Sequence, residues 1–196
     1  MRLLPILLLL ATSCVAAPLV DDKFTDPQLP GRDLSPARGV WKLAGGVATC
    51  TQDDALYTKN KDHGPIIWYG AAFTDATVRF AIRAEKVKQF VFTLNDDQGH
   101  VFRYVLGGSP LVVRAWKEQG HKAKPDALPV QDGPKLVEGA WVQAELKFAG
   151  DRCTVALGSD FSQTFQHPAI ARKKTKLGLG FTHGTLAVRA VSIVVP

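Results

Sequence analysis

The fold is decided by the stretch from Phe90 to Trp116, which reads FVFTL-NDDQG-HVFRYVL-GGSP-LVVRAW. Three runs rich in β-branched and aromatic residues are separated by short segments of turn-forming residues. This pattern predicts three antiparallel strands, a meander, joined by loops at 95–99 and 107–110. The alternation of side chains predicts the pairs Phe90–Tyr104, Phe92–Phe102, Leu94–His100, Leu106–Leu111 and Tyr104–Val113.

The two faces of this meander differ in chemistry. One face is predicted to be core, because nearly all its side chains are large and apolar: Phe90, Phe92, Phe102, Tyr104, Leu106, Leu111 and Val113. The other face combines apolar residues with Arg103, Arg114 and Trp116. A slip of one residue would exchange the faces, so burial of one face favours this register. A function is expected on the mixed face.

Strand patterns continue on both sides of the meander. Alternation or short apolar runs predict further strands at 40–43, 46–50, 65–69, 77–83, 141–148, 153–157, 161–165, 177–181 and 186–195. A polar loop is expected at 51–64, a long polar insertion at 117–139, and at most one helical turn at 168–174. Many short strands separated by turns are typical of an all-β antiparallel sandwich or barrel.

Length and composition suggest one exported domain. The 196 residues, 46% of them hydrophobic and 21% charged, suffice to bury roughly 70% of the surface of the unfolded chain. Residues 18–38 contain four prolines and several aspartates, which predicts an extended lead-in, and the sandwich is expected at 39–196. The net charge of +6 is spread along the chain, so no nucleic-acid partner is predicted.

The N-terminus predicts export. Met1 and Arg2 precede an apolar run that is too short to span a bilayer, which indicates a signal peptide over residues 1–17. Two processing sites compete. Val15-Ala16-Ala17 suits ordinary cleavage, whereas Ala11-Thr12-Ser13-Cys14 resembles a bacterial lipoprotein box in which Cys14 is lipidated. The location is therefore periplasmic, extracellular or lipid-anchored at the cell envelope, with a membrane contacted only through that anchor.

Two further cysteines would lie in an oxidising compartment. A disulfide between Cys50 and Cys153 would close a long loop and contribute about 4–5 kcal/mol in the chain-entropy model. The alternative is two separate buried thiols on strands. The sequence leaves both open, because it does not give the distance between the two residues.

Established catalytic motifs are missing from this chain. It contains no GxSxG, HExxH, P-loop or CxxC motif, and therefore gives no motif support for nucleophilic, zinc or nucleotide chemistry. Its four glutamates are not spaced as an acid and a nucleophile on one strand, which excludes the retaining mechanism of laminarinase-type sandwiches. No cofactor is predicted. Asp96-Asp97 could hold a structural calcium ion, although Asp in a hairpin loop more often shapes the turn.

Several side chains are candidates for a binding or catalytic site. His100 begins one strand and His183 follows another, and each would act as an acid or base only if it lay in a cleft. Trp68 and Trp116 are candidates for stacking on a ligand. Sugar recognition combines an aromatic plane with hydrogen-bonding groups, here Arg103 and Arg114.

A set of ordered motifs resembles the concanavalin A-like jelly-roll domains of the 3-keto-disaccharide hydrolase-like family, which bacteria often export. The resemblance covers residues 39–196 and lies mostly in structural residues. Its motifs are Gly39-Val40-Trp41-Lys42-Leu43-x-x-Gly46-Val47, Phe73-Thr74-Asp75-x-x-Val78-x-Phe80, Gly139-Ala140-Trp141, Gly150-Asp151, Val155-x-Leu157, Leu177-Gly178-Leu179 and Ala187-Val188-Arg189-x-Val191-x-Ile193.

The resemblance implies a two-sheet jelly-roll whose concave face handles carbohydrate, and hydrolysis of oxidised glycosides in some members. The chain departs from the family where an acidic residue is expected, because it has His100-Val101-Phe102-Arg103 instead. A stretch similar to the family's Leu-x-x-His-Gly element ends at His183-Gly184. Without the acid, general acid/base work on a glycosidic bond lacks a titrating group.

Three functions remain open at this point. The first is an exported carbohydrate-binding or carbohydrate-associated sandwich without strong catalysis of its own, acting through Arg103, Arg114, Trp116 and Trp68. The second is a glycoside hydrolase or lyase acting on modified (3-keto) disaccharides, with His183, His100 and an unplaced aspartate as acid and base. The third is an adhesion or structural module that uses the basic loops.

Overall fold

The computed structural model describes residues 17–107, 111–120, 123–131, 133–134 and 136–196. The elements of these residues are mostly short strands: β1 (Val20–Asp22), β2 (Arg32–Asp33), β3 (Lys42–Ala44), β4 (Val47–Thr51), α1 (Asp54–Lys59), β5 (Ile66–Phe73), β6 (Ala76–Glu85), β7 (Gln89–Asp96), β8 (Gly99–Leu106), β9 (Val112–Ala115), β10 (Asp126–Leu128), β11 (Trp141–Ala149), β12 (Arg152–Leu157), β13 (Phe161–Gln166), a 3₁₀ turn (Pro168–Ala171), β14 (Lys174–Thr182) and β15 (Thr185–Val194). No helix among them has the length and apolar character to cross a bilayer.

These strands form two antiparallel sheets in the part of the chain that the structure describes. The back sheet has the order β13-β12-β11-β6-β15-β4-β3, and β1 also pairs with β15. The front sheet has the order β10-β9-β8-β7-β14-β5-β2. In each sheet, hairpins of consecutive strands combine with pairs distant in sequence, such as β6 with β15 and β7 with β14, as in a jelly-roll. The predicted all-β, antiparallel two-sheet sandwich is confirmed.

The core lies between the sheets and is rich in phenylalanine. Phe80 and Phe148 of the back sheet meet Phe92 of the front sheet with ring centroids 6.1 and 6.4 Å apart, and Phe102 contacts Phe148 edge-on. The predicted core face of the meander is buried throughout, from Phe90 at 1% exposure to Leu111 at 7%. Offset and edge-on ring pairs of this kind add to the stabilisation from burial.

The register predicted for the first hairpin is wrong by two residues. Phe92 pairs with Tyr104 and Leu94 with Phe102, so the loop shrinks to Asp97 and Gln98. The tighter turn forms because the Asp96 carboxylate accepts hydrogen bonds from the backbone N–H groups of Gln98 and Gly99, both at 2.9 Å. A shift of two residues keeps the side chains from Phe102 to Leu106 on their predicted faces.

The second hairpin of the meander and the loop before β5 were also predicted from the sequence. The pairing of Tyr104 with Val113 in the second hairpin is confirmed. Most of its loop, at 108–110, lies outside the described residues. The loop predicted at 51–64 contains helix α1, which begins after the N-cap Asp53. The helix was missed because none of its six residues is buried, so it has no apolar stripe to reveal it.

The segment predicted as an extended lead-in, 18–38, contributes one short strand to each sheet. Asp22 is 2% exposed and accepts hydrogen bonds from Arg32 Nη1 on both oxygens, at 2.8 Å each, and from the Tyr69 hydroxyl at 2.9 Å. This buried network ties the segment to β5. The predicted signal peptide and the candidate lipidation site Cys14 lie almost entirely outside the described residues, which begin at Ala17.

The disulfide considered between Cys50 and Cys153 does not form, and both residues are free, buried thiols. Cys50 lies on β4 and Cys153 on β12, and three strands of the back sheet separate them. At about 4.8 Å per strand spacing the residues are about 19 Å apart. This exceeds the reach of a disulfide, which needs Cα atoms within about 7 Å.

Candidate functional site

A groove crosses the outer face of the front sheet. It has a volume of about 340 Å³ and is lined by outward-facing residues of β5, β14, β7 and β8, with the loop at 62–65 at one end. Outward residues alternate with the core residues of the same strands. The mixed face of the meander therefore forms part of the groove floor.

Trp68 forms an aromatic platform in this groove. Its ring lies against the backbone of Gly178 on the neighbouring strand, where an added Cβ would come within 2.6 Å of the ring. The sequence Leu177-Gly178-Leu179-Gly180 explains the contact, because it places leucines in the core and leaves the outer face of β14 without side chains at the two glycines. The Lys176 ammonium lies 4.6 Å from the centre of the Trp68 ring.

A polar cluster lies across the groove from Trp68. Arg103 Nη2 is 3.0 Å from His100 Nε2, and His100 Nδ1 is 2.8 Å from Asn95 Oδ1. An arginine can only donate, so His100 Nε2 accepts and Nδ1 donates to the Asn95 oxygen. The imidazole is therefore neutral in this arrangement. We call these three residues, with Trp116, the Arg103 cluster.

Trp116 supports the cluster from beneath. Its side chain is 6% exposed, with its ring centre 5.0 Å from that of His100 and 5.6 Å from the Arg103 guanidinium carbon. A ring in this position holds Arg103 in place through cation–π attraction. Trp68, which is partly exposed, is the aromatic residue that a ligand in the groove would meet first.

A β-bulge directs His100 into the groove. Leu94 pairs with Phe102 and Asn95 with His100, so Val101 is an extra residue in β8. Without the bulge, alternation would turn His100 toward the core with Phe102. Bulges commonly re-aim side chains beside functional sites. The sequence did not reveal this one, because it depends on the tight turn at Asp97–Gln98.

Positive charge accumulates at the Arg103 end of the groove. Arg103 on β8 lies directly opposite Arg114 on β9, and Arg114 is exposed. Burial lowers the pKa of Arg103, and the charge of Arg114 lowers it further. Neither arginine belongs to an ion pair within the described residues.

His183 lies outside the Arg103 cluster, in a recess of about 470 Å³ that adjoins the groove. The recess and the groove share Gln89 and Thr182. His183 has φ +62°, in the left-handed region, and its ring centre is 5.5 Å from that of Tyr57. The two histidines considered as an acid and base pair thus occupy neighbouring sites.

Asp96, one of the two candidate calcium ligands, shapes the turn. Both oxygens of Asp96 are engaged, one by the turn backbone and the other by Gln119 Nε2 and by Arg172, whose Nη1 is 3.6 Å away. No group of three or more potential metal ligands occurs among the described residues.

Sequence reasoning missed several residues that line the groove. Asn95 and Gln89 lie on the outer face of β7, and alternation from Phe90 and Phe92 could have placed them there. Asp62 and His63 come from the loop after α1, where no periodicity signals a position. Such loop residues reach a site only through the tertiary fold.

The chain matches no protein-family model and no curated protein. Among solved structures it is similar to the carbohydrate-binding module CBM66 from Bacillus subtilis, at 13% identity and TM-score 0.61, over 84% of this chain and 96% of that one. It is also similar to a "putative glycosyl hydrolase" from Parabacteroides distasonis, at 16% identity and TM-score 0.56, over 90% and 97%. A tetrameric galectin from the ball sponge Cinachyrella sp. matches at 11% identity and TM-score 0.53, over 67% and 100%. At these identities the likeness establishes a shared jelly-roll fold.

Proposed function

We propose that this protein binds carbohydrate in the groove of its front sheet, without strong catalysis of its own. The observation that carries the proposal is the pairing of the Trp68 platform with a row of hydrogen-bonding side chains on β7 and β8, including Asn95 and Arg103. Sugars present an apolar C–H face and a rim of hydroxyl groups. A flat aromatic ring and fixed polar groups match these two features.

The structural neighbours support the same proposal. One is by name a carbohydrate-binding module, another a galectin, and a third a "putative glycosyl hydrolase". The fold they share with this chain is thus one on which sugar-related proteins occur. Because fold does not fix function, the groove carries the argument and the neighbours add to it.

The chemistry of the groove favours binding over hydrolysis. Glycosidases commonly use two carboxyl groups, about 5–5.5 Å apart when retaining and about 6.5–9.5 Å when inverting. Among the described residues that line the groove, Asp62 is the one carboxylate. Both ring nitrogens of His100 already take part in hydrogen bonds to Arg103 and Asn95.

A binding experiment tests the proposal. We would screen the purified protein on a glycan array and measure the affinity for each hit by calorimetry. Trp68→Ala should abolish binding, because it removes the aromatic platform. The control is Trp141→Ala, at a tryptophan of the back sheet, which should bind as the wild type does. If Trp68→Ala binds as tightly as the wild type, the groove is not the site.

Hydrolysis of 3-keto-disaccharides is the second candidate. It is favoured by His183, a non-glycine residue in the left-handed region whose Nδ1 is enclosed without a hydrogen-bond partner among the described residues. Strain of this kind often marks functional sites. Turnover of 3-keto-disaccharides that His183→Ala abolishes, with the fold retained by circular dichroism, would replace the binding proposal with the enzyme.

We also propose that the protein is exported, on the evidence of the apolar leader and the cleavage sites near residues 14–17. Cell fractionation should find it in the periplasm, in the medium or at the envelope. Mass spectrometry of the mature N-terminus distinguishes an acylated Cys14 from simple cleavage after Ala17. Retention of the leader in a cytoplasmic protein would contradict export.

A further inference from the structure

We propose that the ligand of the groove is an acidic oligosaccharide whose carboxylate or sulfate group binds between Arg103 and Arg114. This inference rests on the proposed function, because it specifies the sugar that the same groove takes. It follows from the arrangement of charge on the outer face of the front sheet. It predicts that an acidic sugar binds more tightly than its neutral counterpart.

The two arginines form a like-charge pair across adjacent strands. Arg103 and Arg114 are direct partners in the β8–β9 ladder, and like charges in that position destabilise a sheet. Within the described part of the chain, no carboxylate forms an ion pair with either residue. A bound anion between the two guanidinium groups would remove this repulsion, which gives the ligand a favourable contribution that the empty site lacks.

The Arg103 guanidinium is held ready for such an anion. His100 accepts from Nη2, and the Trp116 ring lies against the group, so its position is fixed before any ligand arrives. Its Nε–H is enclosed and has no hydrogen-bond partner among the described residues. The planar fork of an arginine suits the paired oxygens of a carboxylate or a sulfate group, and it stays charged when partly buried.

Two further cations lie in or near the groove. Lys176 lies beside Trp68, and Arg38 lines the end formed by the loop at 62–65. Asp62 is the one carboxylate among the described lining residues. These cations, with Arg103, outnumber the one carboxylate. An excess of positive charge in a cleft attracts anionic ligands.

The spacing of the two ends sets the size of the ligand. Arg103 on β8 and Trp68 on β5 are separated by three strand spacings, about 14 Å. A single sugar ring does not span this distance. A ligand that stacks on Trp68 and reaches the arginine pair is therefore a chain of several sugars.

The experiment compares an acidic sugar with its neutral ester, beside a sulfated sugar and a neutral one. Calorimetry would measure the affinity of the purified protein for tetragalacturonate, its fully methyl-esterified form, the sulfated tetrasaccharide of κ-carrageenan and neutral cellotetraose. We expect the uronate or the sulfate to bind at least about tenfold more tightly than the methyl ester, with the preference falling as salt increases. Preference for uronate or for sulfate identifies the anion, and either result supports the proposal.

Two variants and a matched control locate the effect. Arg114→Gln, at an exposed position, should reduce the preference for the acid over the ester about tenfold. Arg103→Lys keeps the charge but loses the fork, and should also reduce it. Arg152→Gln removes an exposed arginine from the back sheet and should leave the preference unchanged, because it lies on the opposite side of the sandwich.

Three results would overturn the inference: equal affinity for the acid and the ester, an equal effect of Arg152→Gln, or equally tight binding of a single-stranded oligonucleotide of the same charge. Neutral sugars that bind through Trp68 with no effect of charge would overturn this inference and leave the proposed function intact. If no oligosaccharide binds, both fail.

Discussion

Two tryptophan–arginine clusters lie on opposite outer faces of the sandwich. On the back sheet, the guanidinium carbons of Arg83 and Arg189 lie 5.2 and 4.2 Å from the centre of the Trp141 ring. On the front sheet, Arg103 lies over Trp116 and faces Arg114. The residue types are the same: Trp141 begins β11, and Trp116 directly follows β9.

The two clusters differ in whether carboxylates lie near their arginines and in the shape of the surrounding surface. The back face has acidic partners nearby, with Glu85 3.9 Å from Arg83 and Glu145 2.6 Å from Arg79. The front cluster has no such partner within the described residues, and its Arg103 lines the groove. The back cluster thus has acidic groups beside its arginines, whereas the front cluster carries positive charge that an anionic ligand would offset.

The largest expected effect compares a buried ion pair with an exposed one by their contributions to the free energy of unfolding. Asp22→Asn should lower the free energy of unfolding by about 3–5 kcal/mol, because it leaves Arg32, whose side chain is 1% exposed, as an uncompensated buried charge. Glu145→Gln breaks the exposed pair with Arg79 and should cost at most about 1 kcal/mol. Denaturant unfolding of both variants gives the comparison, and similar losses would contradict it.

The comparison extends to Lys174, a buried cation whose hydrogen bonds go to backbone carbonyls. Lys174 is fully buried and donates to the backbone oxygens of Thr74 and Ile170. Burial lowers its pKa to about 8, whereas the charges of Asp75 and Cys153 oppose the shift. Between about pH 8 and pH 10.4 the unfolded chain keeps a proton that the folded chain has released, so stability due to Lys174 rises with pH by about 3 kcal/mol.

The prediction for Lys174 is tested by the difference in stability between wild type and Lys174→Met as pH changes. Burial raises the pKa of Cys50 to about 11 and that of Cys153 as well, which lowers stability in the same alkaline range. Both thiols are present in wild type and in Lys174→Met, so their contribution cancels to a first approximation. Wild type should gain stability relative to Lys174→Met as pH rises from 8 to 10. If the two proteins show the same dependence of stability on pH, the pKa of Lys174 is not lowered.

A charge reversal would make the front cluster resemble the back one. Arg114→Glu places a carboxylate opposite Arg103 and should leave the fold as stable as wild type or more so. It should also weaken binding of tetragalacturonate about a hundredfold, about 2.7 kcal/mol, because the site now repels the anion. Calorimetry measures the affinity and thermal unfolding the stability. Unchanged affinity would separate Arg114 from the site.

The smallest expected effect concerns the Trp68 platform. Gly178→Ala brings a Cβ within 2.6 Å of the Trp68 ring, so the ring must shift, and sugar affinity should fall about tenfold, about 1.4 kcal/mol. Gly70→Ala on the adjacent strand meets its nearest neighbour at 3.8 Å and is the matched control. Equal affinity of the two variants would show that Trp68 adapts without loss.

Much of the fold and part of the site were predictable from local pattern. Alternation placed Phe92 in the core and Arg103 on the outer face, and this survived an error of two residues in the register because side chains repeat every two residues. Loop chemistry was harder to predict. The Asp96 carboxylate tightened the first turn, and the extra residue Val101 then turned His100 into the groove.

The sequence by itself determined the strand pattern, the two faces of the meander and the pair Arg103 and Arg114, because these depend on contacts between near neighbours along the chain. Only the tertiary structure decided what lies opposite each face. It buried Trp116, laid Trp68 against Gly178, separated His183 from His100 and kept Cys50 and Cys153 apart. Those relations depend on strand order, and hydrogen bonds between strands far apart in sequence set that order.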